Sequence, residues 1–274
     1  RKYIVQLLLD HSSLELNARS TDGWTALMLA CANGHRDIVQ LLLEHSNIDL
    51  NARDNWKAMT AFMWACGNGN KDIVKLLLDH ANTNIDLNAR DNDGWTALMS
   101  ACCNGYKDVV QLLLDRSTIE LNATSNAGWT AFNLACENGH KDVVQLLLEH
   151  SDRNIDLNAR VTDGDYDEDT GFMMACSQGH KDVVNLLLDR SDIDLNAKSN
   201  DGWTALMYAC CKGYKDVVQL LLDRSAMELN ARRNEGWTAF NLACENGHKD
   251  VVQLLLEHPD RNIDLNARVT NGGY

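Results

Sequence analysis

Four Cys-x3-His pairs recur along the chain: Cys31 with His35, Cys136 with His140, Cys176 with His180, and Cys244 with His248. Thiolate and imidazole are the ligands of zinc and the partners of a Cys–His nucleophile. Structural zinc needs four such groups converging on one point. A nucleophilic thiol needs exposure, a lowered pKa and a group that orients its base. Here each cysteine follows an alanine in a short apolar segment and each histidine follows a glycine. One recurring structural position explains that spacing without a metal, and near-copies of a catalytic site strung along a chain would be an odd enzyme. No Gly-rich phosphate loop, His-Glu-x-x-His or Gly-x-Ser-x-Gly occurs. The expectation is therefore no catalytic residue, no metal and no cofactor.

Residues 162–170 read TDGDYDEDT, with Asp163, Asp165, Asp167 and Asp169 at alternate positions. A calcium loop of the D-x-[DN]-x-[DN]-G type needs a glycine at its sixth position and a glutamate at its twelfth. Both are missing, so the stretch reads first as a solvated loop.

The rest of the chain must explain these positions. It has 274 residues, a formal net charge of −14 and 45% apolar residues. The acid excess opposes general nucleic-acid binding, which needs a positive field. No apolar run approaches the eighteen or so residues of a membrane span. The opening Arg1-Lys2-Tyr3-Ile4 does not read as a signal peptide. Nine cysteines, seven of the sites being Ala-Cys or Ala-Cys-Cys, behave as small apolar residues and fit a reducing, intracellular and most simply cytoplasmic setting. The lone sequon Asn122-Ala-Thr124 points weakly the other way.

Self-similarity dominates. Residues 129–162 and 237–270 are the same 34 letters except Ser151 against Pro259. Aligned threonines fall at Thr25, Thr60, Thr96, Thr130, Thr170, Thr204 and Thr238, with spacings of 35, 36, 34, 40, 34 and 34. A chain built on such a period is an array in which each unit buries its apolar face on its neighbours. In the unit after Gly128, Thr130 is a helix N-cap and a short apolar helix follows. Asn138-Gly139 breaks it, and a second helix runs from about Lys141 to Glu149 with Asp142 in its first turn. Ile155-Asp156-Leu157-Asn158-Ala159-Arg160 alternates apolar and polar residues, which predicts an extended, hairpin-like finger.

The motif D-G-W-T-A-L-M-x-A-C-x-N-G-H-x-D-[IV]-V-Q-L-L-L-[DE]-H, as it stands over residues 22–45, resembles the ankyrin repeat, and the resemblance covers essentially the whole chain. It implies an all-α solenoid of stacked antiparallel helix pairs joined by β-hairpin-like fingers. The expected organisation is a single array over 1–274: a partial repeat over 1–19, seven full repeats over 20–268 and the start of another over 269–274. Both ends fall inside repeats, which leads to the expectation of a longer parent chain. The family's Thr-Pro-Leu-His is replaced by Thr-Ala-Leu-Met, Thr-Ala-Phe-Met or Thr-Ala-Phe-Asn, so somewhat less rigid turns are expected. Its glycine after the second helix is absent, and Asn47 or Asn154 is expected to supply the left-handed residue.

The resemblance also implies a protein-binding scaffold without catalysis, presenting a concave face of first helices and finger tips to a protein partner. A mechanical or tethering spacer within a larger protein is the alternative. Trp24, Trp95, Trp129, Trp203 and Trp237 recur after the finger glycine, and Arg53, Arg90 and Arg160 belong to a parallel stripe. Their regularity favours a structural role for most copies, with Trp and Arg also being the usual interface anchors. Recognition is expected at positions that vary between units: Leu29, Trp64, Ser100, Met174 and Tyr208 within the first helices, and Ala32-Asn33, Gly67-Asn68, Cys103-Asn104, Ser177-Gln178 and Cys211-Lys212 at their ends. Leu-x5-[Asp/Glu]-aliphatic-Asn spacing makes Asn17 and Asn51 candidates for asparaginyl hydroxylation by the same resemblance. At an offset of 108 residues, Val269-Thr270-Asn271-Gly272 matches Val161-Thr162-Asp163-Gly164. The Asp-rich stretch is thus one copy of a lengthened finger that returns every third unit, and a one-residue insertion at Asn55-Trp56-Lys57 marks another variant.

Overall fold

A computed structural model describes the chain except residues 1, 10, 12–13, 81–83, 151–153, 163, 165–167, 259–262 and 270–274. It contains fifteen α-helices among the described residues, in two compact units, Arg1–Asn126 and Ala127–Tyr274. The first unit holds α1 (Lys2–Leu9), α2 (Ala26–Ala32), α3 (Arg36–Leu43), α4 (Ala61–Gly67), α5 (Lys71–Asp79), α6 (Ala97–Cys103) and α7 (Lys107–Leu114). The second holds α8 (Ala131–Glu137), α9 (Lys141–Glu149), α10 (Gly171–Ser177), α11 (Lys181–Leu188), α12 (Ala205–Lys212), α13 (Lys215–Leu222), α14 (Ala239–Glu245) and α15 (Lys249–Glu257). Within each unit, first helices pack on first helices and second helices on second helices, in chain order. The expected stack of helix pairs is what each unit forms.

Seven to nine residues are too few for a helix to persist alone in water. Two things hold these. At every first helix a buried threonine caps the N-terminus, its Oγ1 accepting from the backbone N–H three residues on, as in Met28 to Thr25 at 3.3 Å and Asn133 to Thr130 at 3.1 Å. Each such cap contributes about 1 kcal/mol. Stacking then buries both faces of the second helices: Val143, Val144, Leu146, Leu147 and Leu148 of α9 are all in the core. The second-helix bounds coincide with those expected from the sequence at Lys141–Glu149.

The turn between the helices of a pair takes its shape from glycine. Gly139 lies at φ +71°, and a Cβ there would come within 2.5 Å of Nδ1 of His180 in the next repeat. Asn154 supplies a left-handed residue at φ +56° after the second helix, as expected; Asn47 is not among the positive-φ residues. At Thr-Ala-Phe-Asn the side chain of Asn133 donates to the Ala159 carbonyl at 3.0 Å and accepts from the Thr130 hydroxyl.

The fingers close as expected at their tips. Ser20 N–H donates to the Trp24 carbonyl, and Asn55 N–H donates to the Asp22 carbonyl of the preceding finger, both at 2.9 Å. The segment before the finger departs from the extended reading. Asp-Leu-Asn-Ala folds into a turn: the N–H of Asn51 donates to Asp49 Oδ1 at 3.0 Å, and Asn88, Asn158, Asn196 and Asn266 do the same to Asp86, Asp156, Asp194 and Asp264. The aspartate stripe is therefore a series of side-chain-closed turns. Of the Asp-rich finger, Asp163, Asp165 and Asp167 lie outside the described residues. Its base is a narrow hairpin, with Arg160 bridged antiparallel to Thr170, and Asp169 is buried there instead of standing in solvent.

Candidate protein-binding surface

Three ladders run between repeats, and they decide which of the candidate residues remain available. The first is asparagine. Asn17 Nδ2 donates to the Asn47 carbonyl while its Oδ1 accepts from Asp49 N–H, both at 2.8 Å. Asn51 spans Asn84 and Asp86 in the same way, Asn88 spans Thr118 and Glu120, Asn158 spans Asp192 and Asp194, and Asn196 spans Ala226 and Glu228. Each amide thus satisfies a backbone donor and a backbone acceptor of the next repeat. The two asparagines with the hydroxylation spacing are members of this ladder.

The second ladder is arginine. Arg19 donates to the Arg53 carbonyl and Arg53 to the Arg90 carbonyl; Arg90 donates to Thr124 at 2.6 Å. Arg160 donates to the Lys198 carbonyl at 2.7 Å and to the Glu168 carbonyl at 2.9 Å. A guanidinium spent on neighbouring backbone has fewer donors left for a partner, so Arg53, Arg90 and Arg160 act first as ties between fingers.

The third ladder is histidine or asparagine at the start of several second helices. His180 Nε2 lies 2.8 Å from the Glu137 carbonyl and His248 Nε2 lies 2.8 Å from the Cys211 carbonyl, while Asn70 donates to Cys31 at 2.7 Å. Of the cysteines in the Cys-x3-His pairs, Cys31, Cys136 and Cys176 are buried in the first-helix packing, while Cys244 is exposed. Burial pushes the Cys31 thiol up to about 12, and raises Cys66, Cys102, Cys176 and Cys210 as well. At pH 8 the Cys31 thiol is therefore held in its protonated, unreactive form. With an aromatic disulfide reagent at that pH, the exposed Cys244 is expected to react first, Cys103 and Cys211 more slowly, and the six buried thiols only as the chain unfolds. Rapid modification of Cys31 in the folded chain would contradict this.

The aromatic positions sort differently. Trp129 is buried, and Trp95 and Trp237 are half-buried against their fingers. Met174 is 0% exposed and serves as core. In the first unit Trp24 and Trp64 meet with ring centroids 4.6 Å apart at 34°. The buried carboxylate of Asp54 fixes this pair: it accepts from the Trp64 indole N–H at 3.0 Å and from the backbone N–H groups of Trp56 and Lys57 at 3.0 and 2.8 Å. The inserted Trp56 stands out from the finger at 67% exposure, and Leu29 on the neighbouring first helix is 50% exposed. In the second unit Trp203 and Tyr208 stack at 4.7 Å and 14°, with the Arg233 guanidinium 4.8 Å from the Trp203 centroid. Sequence reasoning missed Asp54 and Arg233. The signal for both was at hand, since they occupy the finger position where Ser20, Ser125 and Ser199 stand.

The clefts between second helices are open and shallow; one of ≈420 Å³ is lined by Leu77, Ile85, Leu87, Asn88, Arg116 and Thr118. No helix among the described residues is long and apolar enough to cross a membrane. A family model described as ankyrin repeats (3 copies) matches residues 1–54, 49–125, 119–199 and 172–269. No curated protein matches the chain at a significant level.

Proposed function

Because the chain belongs to the ankyrin-repeat family, whose repeats bind protein partners, we propose that it is a non-catalytic protein-binding module whose partner docks on the first-helix and finger-base side of a unit. Trp24 and Trp64 are its anchors in the first unit, and Trp203 and Tyr208 in the second. The observation that carries this is the aromatic pair in each unit. Both pairs are half-exposed, and each is held by ring contact before any partner arrives. Aromatic side chains fixed in advance lose little rotamer entropy on binding, which is why such residues supply most of the energy of interfaces. The regular Trp95, Trp129 and Trp237 and the ladder arginines keep the fingers in register around these pairs. The unbridged, half-buried thiols of Cys103 and Cys211 and the exposed thiol of Cys244 fit an intracellular, reducing setting for the module.

The test uses the full chain against a protein-display library, followed by substitution. Trp64→Ala is expected to weaken any ligand selected on the first unit at least tenfold, with circular dichroism unchanged, and Trp64→Phe to restore part of it. Selected ligands that all tolerate both Trp64→Ala and Tyr208→Ala would place recognition elsewhere and overturn the anchor assignment.

A further inference from the structure

Two residues near the Trp203–Tyr208 stack break the repeat pattern, and both breaks give up a structural bond for a positive charge. At the end of a first helix the repeats carry Asn33, Asn104, Asn138 or Asn246. The side-chain amide of each donates to the carbonyl four residues back at 2.8–2.9 Å, while Asn68 at the same position donates to the Ala32 carbonyl and Gln178 stands there in another repeat. The second unit places the exposed Lys212 at this point of α12, followed by the left-handed Gly213 at φ +77°, as glycine follows in the other repeats. At the finger position four residues before the tryptophan, Ser20, Asp91 and Ser199 accept the tryptophan N–H at 3.1, 2.8 and 3.1 Å. Arg233 cannot accept, and its finger turns through a short 3₁₀ segment with Glu235 at φ +68°. Lys212 lies one helical turn beyond Tyr208 on α12, and Arg233 lies over the Trp203 ring that stacks on Tyr208, so both cations border the stack.

Arg233 is also placed unlike the ladder arginines. It lies on the Trp203 ring, and its Nε is buried without a hydrogen-bond partner among the described residues. A guanidinium flattened on an indole is partly desolvated and keeps its outer N–H groups for an anion, which favours a planar carboxylate. The surrounding charge is strongly negative, the chain carrying −14 overall. At physiological ionic strength, however, the screening length is about 8 Å, so distant carboxylates count for little against two adjacent cations. The nearby acidic groups are Glu245 beside Cys211, Glu235 two residues after Arg233, and Asp201, whose carbonyl accepts from the Asn234 N–H at 3.0 Å.

We propose that Trp203, Tyr208, Lys212 and Arg233 form a docking point for an acidic peptide segment, with a carboxylate on Arg233 and Lys212 and an adjacent apolar side chain on the edge of the aromatic stack. This deepens the protein-binding reading and rests on it. The probe is a fluorescently labelled ten-residue peptide of alternating glutamate and leucine, titrated against the full chain. A lysine–leucine peptide of equal length and a ten-nucleotide thymidine strand are the comparisons. The glutamate–leucine peptide is expected to bind, to weaken with added salt, and to be weakened at least fivefold by Lys212→Asn and by Arg233→Ser. Both substitutions restore the residue type of other repeats, so the fold is preserved. Arg233→Lys is expected to lose part of the affinity, since it keeps charge without the stacked plane. Equal binding of the lysine–leucine peptide, preference for the nucleotide strand, or indifference to both substitutions overturns the proposal. If none of the probes binds while library ligands still depend on Tyr208, the acidic-peptide assignment fails and the broader module reading stands.

Discussion

Phe132→Ala is expected to destabilise the second unit by about 3–5 kcal/mol, the usual cost of deleting a fully buried phenylalanine. Phe132 is 1% exposed, and the ring lies so close to Gly171 of the next helix that a Cβ there would sit 3.1 Å from its Cε1. The same substitution at Phe240 is expected to cost about half as much or less. Phe240 occupies an identical local sequence, Ala-Phe-Asn-Leu-Ala-Cys-Glu, but is only half-buried. The neighbouring helix pair is the difference, as other members of the two copies show: Leu148 is 7% exposed and its counterpart Leu256 is 53%. Urea titration of the full chain, with native-state hydrogen exchange to locate the loss, measures both variants. Equal shifts would mean that burial by the adjacent repeat contributes little.

Gly139→Ala is the second large effect, about 2–4 kcal/mol, and Gly247→Ala is its internal control. Both glycines lie near φ +70°. An alanine there costs about 1–2 kcal/mol at either site because its Cβ crowds the carbonyl. At Gly139 the new Cβ also meets the His180 ring at 2.5 Å, so the imidazole must move and forfeit its bond to the Glu137 carbonyl. That adds about 1–2 kcal/mol. At Gly247 nothing lies within 4 Å of the new Cβ. The expected result is a gap of at least 1 kcal/mol between two chemically identical changes, read from the same urea titrations. If Gly247→Ala is as damaging as Gly139→Ala, the histidine contact has no energetic weight.

Much of this was legible from the chain. The threonine caps, the Asn-Gly breaks and the bounds of α9 follow from local chemistry that acts over three or four residues. The Asp-Leu-Asn turns were not legible. Ile-Asp-Leu-Asn alternates apolar and polar side chains just as a strand does, and only the fold-back of Asp Oδ1 onto the asparagine N–H separates the two. Met174 and Trp64 share one repeat position, yet the first is core and the second half-exposed. What covers a first helix depends on the finger beside it, which the repeat alignment does not encode. Arg233 was overlooked for a related reason: Arg232 beside it fits the arginine stripe and draws the eye, whereas Arg233 matters by replacing a serine-type acceptor.

The asparagine ladder has a consequence for how such a chain arises. Each rung reads only main chain in the next repeat, one N–H and one C=O that every residue offers. A repeat can therefore be copied, moved or set beside a different neighbour without a compensating side-chain change across the joint. The 108-residue internal duplication, with its blocks of identical letters, is the kind of genetic event such a coupling tolerates. Backbone-directed joints leave the chain free to grow by whole blocks.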